Sequence, residues 1–175
     1  QQITTLVNDL LFLQEMDLVL PDFQPVNMEK LAKDVVKKYQ SKARKQGVKL
    51  HLKTGWRLPD ASGDAKSLEH ALDCLVDNAI KFSPKGGDVD IRFSAQDEGL
   101  SASVQDQGIG ISKERLPHIF DRVHHLEGND EHLFGGIGIG LAITRQVIKQ
   151  HDGQLKVESQ EGQGSTFTMI LKKTK

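Results

Sequence analysis

The stretch Gly135-Gly136-Ile137-Gly138-Ile139-Gly140-Leu141-Ala142-Ile143 constrains this chain more than any other. Four glycines in six positions run straight into an apolar segment suited to a helix. Such a backbone can come close to a ligand and present free N–H groups at a helix start, where the helix dipole also favours phosphate. Glycine-rich turns arise for steric reasons too, so this run alone leaves a phosphate cradle and a plain turn both open.

The surrounding pattern narrows the fold. Residues 1–20 place Ile3, Leu6, Val7, Leu10, Leu11, Leu13 and Met16 at spacings of three and four, one wide helical stripe that needs a bundle or coiled-coil partner. Pro21 and Pro25 break that pattern and leave Phe23 and Val26 extended, so 21–26 reads as linker and first strand. Asn27 is placed to cap a helix over 28–46 that stops at Gly47, and Asp64 to cap another over 65–82 that Pro84 and Gly86-Gly87 end. Alternation predicts strands at 48–56, 88–95, 100–105, 154–160 and 165–172, with a hairpin turn at 96–99. Ser112 is expected to cap a short helix through Phe120, and a further helix is expected over 138–151. Residues 121–134 are polar and without pattern, which suggests a functional or mobile loop. Helices and hairpins alternate without a βαβ repeat. The expected fold is therefore α+β, a two-layer α/β sandwich with a mixed sheet covered by helices on one face, preceded by one bundle helix.

Composition excludes several functions. Lys and Arg number 23 against 24 Asp and Glu, so a net charge of −1 gives no electrostatic case for nucleic acid. One cysteine, Cys74, rules out an intramolecular disulfide and fits a reducing compartment. No run approaches the roughly 20 apolar residues that span a bilayer. The chain opens on Gln1 within a helical pattern, without an initiator Met or signal peptide, and is expected to be a cytoplasmic fragment of a longer protein.

Three further segments carry candidate chemistry. In Asp73-Cys74-Leu75-Val76-Asp77-Asn78-Ala79-Ile80-Lys81-Phe82-Ser83-Pro84, Asn78 and Lys81 stand three apart on one helix face. An amide oxygen and an ammonium side by side can serve a hard cation and a phosphate, or simply form the polar face of an amphipathic helix. Asp73 and Asp77 flank that face and are placed to approach a metal through water. In Asp106-Gln107-Gly108-Ile109-Gly110, a carboxylate at a strand end can accept from an exocyclic amine, although a tight turn alone accounts for the glycines. Gly162-Gln163-Gly164-Ser165-Thr166-Phe167 is a turn into a strand.

In this order and at these separations, the segments resemble the ATP-binding catalytic domain of sensor histidine kinases, of the GHKL (Bergerat-fold) superfamily. Residues 64–84 look like its asparagine box, 106–110 its first glycine box, 119–122 (Ile119-Phe120-Asp121-Arg122) its phenylalanine box and 135–141 its second glycine box. His151-Asp152-Gly153 through Phe167 is similar to its last hairpin. Residues 1–20, particularly Val7-Asn8-Asp9-Leu10-Leu11-Phe12-Leu13, look like the second helix of its dimerisation and phosphoacceptor hairpin, leaving 27–175 as the catalytic domain.

The resemblance implies roles residue by residue. Asn78 would coordinate Mg²⁺ bridging the ATP phosphates and Lys81 would contact a phosphate, the two forming the catalytic pair. Asp106 would accept from the adenine amino group, with Thr166 supporting that contact, and Phe82 would pack against the base. Gly108 and Gly110 would let the chain turn into an ATP lid over 121–137, while Gly136, Gly138 and Gly140 would offer backbone N–H groups to the phosphates. Ile111, Phe120, Ile137, Ile139 and Leu141 complete the implied nucleotide-binding set. The implied function is donation of the ATP γ-phosphoryl group to a histidine on a dimerisation domain, for onward transfer to a response-regulator aspartate. ATP, ADP and Mg²⁺ are then the ligands, and the full-length protein a homodimer. A chaperone- or topoisomerase-type ATPase of the superfamily fits the short lid and the bundle helix less well.

Two departures from the family pattern stand out. Cys74 occupies a position where many members have asparagine, and His124-His125 stand where an aromatic and an arginine are common. They motivate an alternative, a nucleotide-sensing interaction module with decayed kinase activity. None of the seven histidines has the His-(Glu/Asp)-x-x-x-Pro setting of a phosphoacceptor, so the acceptor helix is expected upstream of Gln1.

Overall fold

The computed structural model describes residues 7, 9, 11, 12, 14–16, 21–121 and 139–174. Short β1 (Gln24–Val26) leads into α1 (Met28–Lys45), whose first turn is closed by Asn27 Oδ1 accepting from the Lys30 N–H at 2.8 Å. Gly47, at φ +73°, ends that helix and hands the chain to β2 (Val48–Thr54). After β3 (Ala61–Gly63), Asp64 Oδ1 accepts from the Ser67 N–H at 2.8 Å and starts α2 (Ala65–Lys81). The hairpin β4 (Gly87–Gln96) and β5 (Gly99–Gln105) follows, then a single 3₁₀ turn at Leu116–His118, α3 (Ile139–Gln150), β6 (Gln154–Gln160) and β7 (Gly164–Lys172).

Five strands form one sheet in the order β2-β4-β5-β7-β6, and β1 pairs with β3 in a separate two-stranded sheet. Only β2 and β4 run parallel, joined through α2. Val89, Ile91 and Phe93 of β4, Leu100, Ala102 and Val104 of β5, and Phe167, Met169 and Leu171 of β7 point to one face, by strand alternation. They pack there on Leu68, Leu72, Leu75, Val76 and Ile80 of α2 and on Ile143, Val147 and Ile148 of α3. The mixed sheet with helices on one face is the architecture expected from the sequence. One βαβ crossover exists after all, because α2 carries the chain from β2 to β4.

One expected element is not formed. Instead of an α-helix capped by Ser112, the chain makes successive turns: the Ser112 carbonyl accepts from the Arg115 and Leu116 amides, each at 3.1 Å, and the Arg115 carbonyl from the His118 amide at 2.9 Å, leading into the 3₁₀ turn. Residues 112–115 offer no apolar stripe to bury, and Pro117 supplies no donor.

Contacts at His151 and along the described residues of 7–16 tie the elements together. His151 is buried, with Nδ1 2.7 Å from the Val147 carbonyl oxygen and Nε2 3.0 Å from the Asp64 amide. A carbonyl only accepts and an amide only donates, so Nδ1 carries the proton and the ring is neutral. The described residues among 7–16 are helical, with Phe12 and Met16 buried. Phe12 stacks on His70 of α2 at 4.1 Å, Asp9 lies 3.3 Å from His70 Nε2, Glu15 lies 3.4 Å from Lys66, and Gln150 of α3 donates to the Met16 carbonyl at 3.1 Å. Val7 and Leu11, from the same stripe, remain about half exposed. Among the described residues, no helix is long and apolar enough to cross a membrane.

Candidate functional site

The inner end of β5 delivers a carboxylate into the sandwich. Asp106, one residue beyond the strand, is buried, and its amide donates to the Ser165 carbonyl at 2.9 Å. Its Oδ1 accepts from the Gly108 amide at 2.8 Å and the Ser165 amide at 3.3 Å. Burial raises the carboxyl above its usual range, while those backbone donors hold it back by favouring the ionised form. All of its described side-chain hydrogen bonds fall on Oδ1.

Close chain approach explains the glycines here. A Cβ on Gly108 would lie 2.0 Å from the Phe82 carbonyl oxygen, which accepts from Ile109 at 3.0 Å. A Cβ on Gly110 would lie 2.0 Å from the Gln160 carbonyl oxygen, and one on Gly164 2.1 Å from that of Asp106. Segment 106–110 is thus threaded between the end of α2 and the β6–β7 turn, with no room for side chains at either crossing.

The structure corrects one residue of the expected set. Thr166 was expected to support Asp106, but it sits on the opposite face of β7, beside Gln105 and Glu158 in register. Phe167 points into the core, so strand alternation turns Thr166 outward and Ser165 inward. Ser165 is the residue whose amide meets Asp106, and its hydroxyl lies 2.9 Å from that of Ser159. Counting alternate residues back from Phe167 is the signal in the sequence that selects Ser165.

The last turn of α2 supplies the other pole. Asn78 is half-buried, and its side-chain amide makes no hydrogen bond among the described residues. Lys81, on the same face, holds Nζ 5.0 Å from the centre of the Phe82 ring. Burial lowers the pKa of its ammonium and Lys42 adds to that effect, against the opposing pull of Asp77. Asp73 and Asp77 are not poised for a metal. Asp73 pairs with Lys38 of α1 at 2.5 Å, and Asp77 pairs with Lys42. Among the described residues no group of three or more His, Cys, Asp or Glu side chains could hold a metal ion.

Cys74 stands one turn before Asn78, on the same side of α2. Its Cβ and Sγ would each lie 3.4 Å from a Cβ built on Gly140, so it fills the seam between α2 and α3. Burial pushes its thiol pKa upward, making it inert. Across the same seam Thr144 Oγ1 donates to the carbonyls of Gly140 at 2.9 Å and Ala71 at 3.4 Å.

Of the remaining expected residues, Ile139, Gly140 and Leu141 form the start of α3. The Ile111 amide donates to Ser159 Oγ at 2.8 Å. Phe120 meets Phe167 edge-on at 6.5 Å and lies under the Arg145 guanidinium at 5.9 Å. Gly136, Ile137 and Gly138, the lid beyond Asp121, and His124, His125 and His132 lie outside the described residues.

Comparison with known proteins places this geometry. The profile of the family described as histidine kinase-, DNA gyrase B-, and HSP90-like ATPase matches residues 63–175. The circadian input-output histidine kinase CikA of Synechococcus elongatus is 32% identical over 98% of the chain, which spans 23% of that relative. The phosphate regulon sensor protein PhoR of Pseudomonas aeruginosa is 34% identical over 93% of the chain, which spans 37% of it. Full-length ShkA in complex with AMPPNP superposes with a TM-score of 0.81 at 27% identity, over 98% of this chain and 36% of that one. The catalytic domain of histidine kinase ThkA, nucleotide-free, gives 0.76 at 25% identity over 88% of this chain and 99% of that one. With the profile running from β3 to the last strand and the sandwich matched to histidine kinase catalytic domains, this chain belongs to the histidine kinase-, DNA gyrase B- and HSP90-like ATPase family.

Proposed function

We propose that the chain is the ATP-binding catalytic domain of a two-component sensor histidine kinase. The observation that carries this reading is the pairing of two poles: a buried carboxylate fixed by the Gly108 and Ser165 amides, and an amide without a partner among the described residues beside a desolvated ammonium at the end of α2. Asp106 accepts from the exocyclic amine of adenine, in a setting where Ser165 rather than Thr166 lies beside it. Lys81 places its charge on a phosphate, with Phe82 beneath it against the base. Asn78 would hold Mg²⁺, which when bound neutralises charge on the phosphates. Phosphoryl transfer needs little covalent chemistry from the enzyme, so positioning and charge are the contribution these residues can make.

The acceptor is a histidine of a separate segment, because none of the seven histidines here has a phosphoacceptor setting. A phosphoacceptor domain, a response regulator, a cytoplasmic location and dimerisation in the full-length protein complete the reading. Cys74, one motive for decayed activity, packs against Gly140 in the seam between α2 and α3.

The test is calorimetry of ATP with Mg²⁺, followed by transfer of labelled phosphate to a supplied phosphoacceptor domain. Asp106→Asn should weaken ATP binding by about 10- to 100-fold, the effect of a hydrogen bond to a charged group. Unchanged affinity would refute the base assignment. ATP binding without transfer to any acceptor would favour the non-catalytic module.

A further inference from the structure

Ser159 has one hydroxyl proton and three neighbours within hydrogen-bond reach. The Ile111 amide, 2.8 Å away, can only donate to it, and the Gly164 carbonyl, 2.9 Å away, can only accept from it. The third neighbour, the Ser165 hydroxyl at 2.9 Å, could run in either direction. The first two contacts settle it. Ser159 spends its proton on Gly164, so all three contacts form only when the Ser165 hydroxyl donates to Ser159.

Ser165 is itself buried, beside Asp106. With its proton turned back toward Ser159, its oxygen is left with lone pairs only. Asp106, once ionised, is likewise an acceptor without a proton.

We infer that Ser159 is a positioning residue for base selectivity: by taking the Ser165 proton it makes the wall beside Asp106 acceptor-only, matched to the amino group of adenine and hostile to the 6-oxo group of other purines. This rests on the nucleotide reading above. Ser159 acts through Ser165 and need not touch the ligand.

The experiment measures ATP and inosine triphosphate affinities by calorimetry, with Mg²⁺, on the whole chain. Inosine triphosphate carries an oxygen where adenine carries the amine. Ser159→Ala frees the Ser165 proton to face that oxygen, and the preference for ATP should narrow about tenfold, the worth of one buried hydrogen bond. Ser159→Thr keeps the hydroxyl and should keep the wild-type preference. In Ser159→Ala/Ser165→Ala the gained affinity for inosine triphosphate should vanish again. A purely structural role would weaken both nucleotides alike in Ser159→Ala and leave their ratio unchanged, which overturns the inference.

Ser159→Ala also strips the Ile111 amide of its partner and so costs stability independently of selectivity; Ser165→Ala alone supplies a second arm. It should weaken ATP several-fold without weakening inosine triphosphate, whereas equal losses, or none for ATP, overturn the inference. If Asp106→Asn leaves ATP binding unchanged, the base assignment falls and this inference with it. If Asp106→Asn weakens ATP while the Ser159 variants keep the ratio, only this inference falls.

Discussion

Asp106, Ser159 and Ser165 are all committed to partners within the chain, whereas Asn78, on the last turn of α2, spends its amide on none among the described residues. The first region is crossed by three stretches of backbone so close that glycine alone fits at Gly108, Gly110 and Gly164. The second is the end of a helix, held through Asp73 and Asp77 by lysines of α1 on its flank. On the proposed reading, the base pole would be finished before a ligand arrives and the phosphate pole completed by the ligand. Substitutions should damage folding at the first and chemistry at the second.

The sharpest break in that contrast is Gly108→Ala. Its Cβ would sit 2.0 Å from the Phe82 carbonyl oxygen, so backbone has to move, and the loss should be about 3–4 kcal/mol in urea unfolding or no folded protein. Gly162→Ala is the comparison. Gly162 has φ +77° but nothing within 4 Å of an added Cβ, so about 1 kcal/mol is expected from the backbone alone. Asn78→Ala tests the other pole: phosphoryl transfer should fall about 100-fold or more, in the range of a lost transition-state contact, while stability changes by less than about 0.5 kcal/mol.

The poles should also separate with pH. Burial raises the Asp106 carboxyl, and on the proposed reading the base amine would need it ionised. ATP affinity should therefore be full above that raised pKa and decline as pH falls through it, beginning at higher pH than for an ordinary aspartate. Asp106→Asn should remove this limb from the affinity profile. The smallest effect is expected at Asp64, outside both poles. Burial alone would raise its carboxyl, but hydrogen bonds from Ser67 and the Asp22 amide outweigh that and hold it low. Asp64 adds stability above its unfolded-state pKa, and that stability is lost as pH falls through the lower folded value. Asp64→Ala should cost about 1 kcal/mol at neutral pH and little in strong acid, by thermal unfolding.

What the sequence discloses follows from how local each cause is. Asn27, Gly47 and Asp64 mark helix ends through contacts within three residues, so α1 and α2 are legible to within one residue. The Asp97-Glu98 turn between β4 and β5 is equally local. β3 is not legible, because three residues carry no period and their partner β1 lies far back in the chain. The parallel pairing of β2 with β4 is hidden for the same reason. At the site, residue types and spacing point to Asn78, Lys81 and Asp106, but choosing Ser165 over Thr166 requires the inward direction of Phe167. The Cys74–Gly140 seam joins two helices, and no local pattern announces it.

The hydrogen bond from the Asp64 amide to His151 closes a loop of 87 residues. It joins the first residue of one helix signal to the last turn of another, with the whole β4–β5 hairpin between them. During synthesis α2 is complete long before the residues that cover its inner face have emerged, and its apolar side stays uncovered for that interval. Contacts of such long range slow the folding search, because the closure entropy is lost before the packing repays it. The Asp64–His151 contact can therefore form only once all the residues between its two ends have been made.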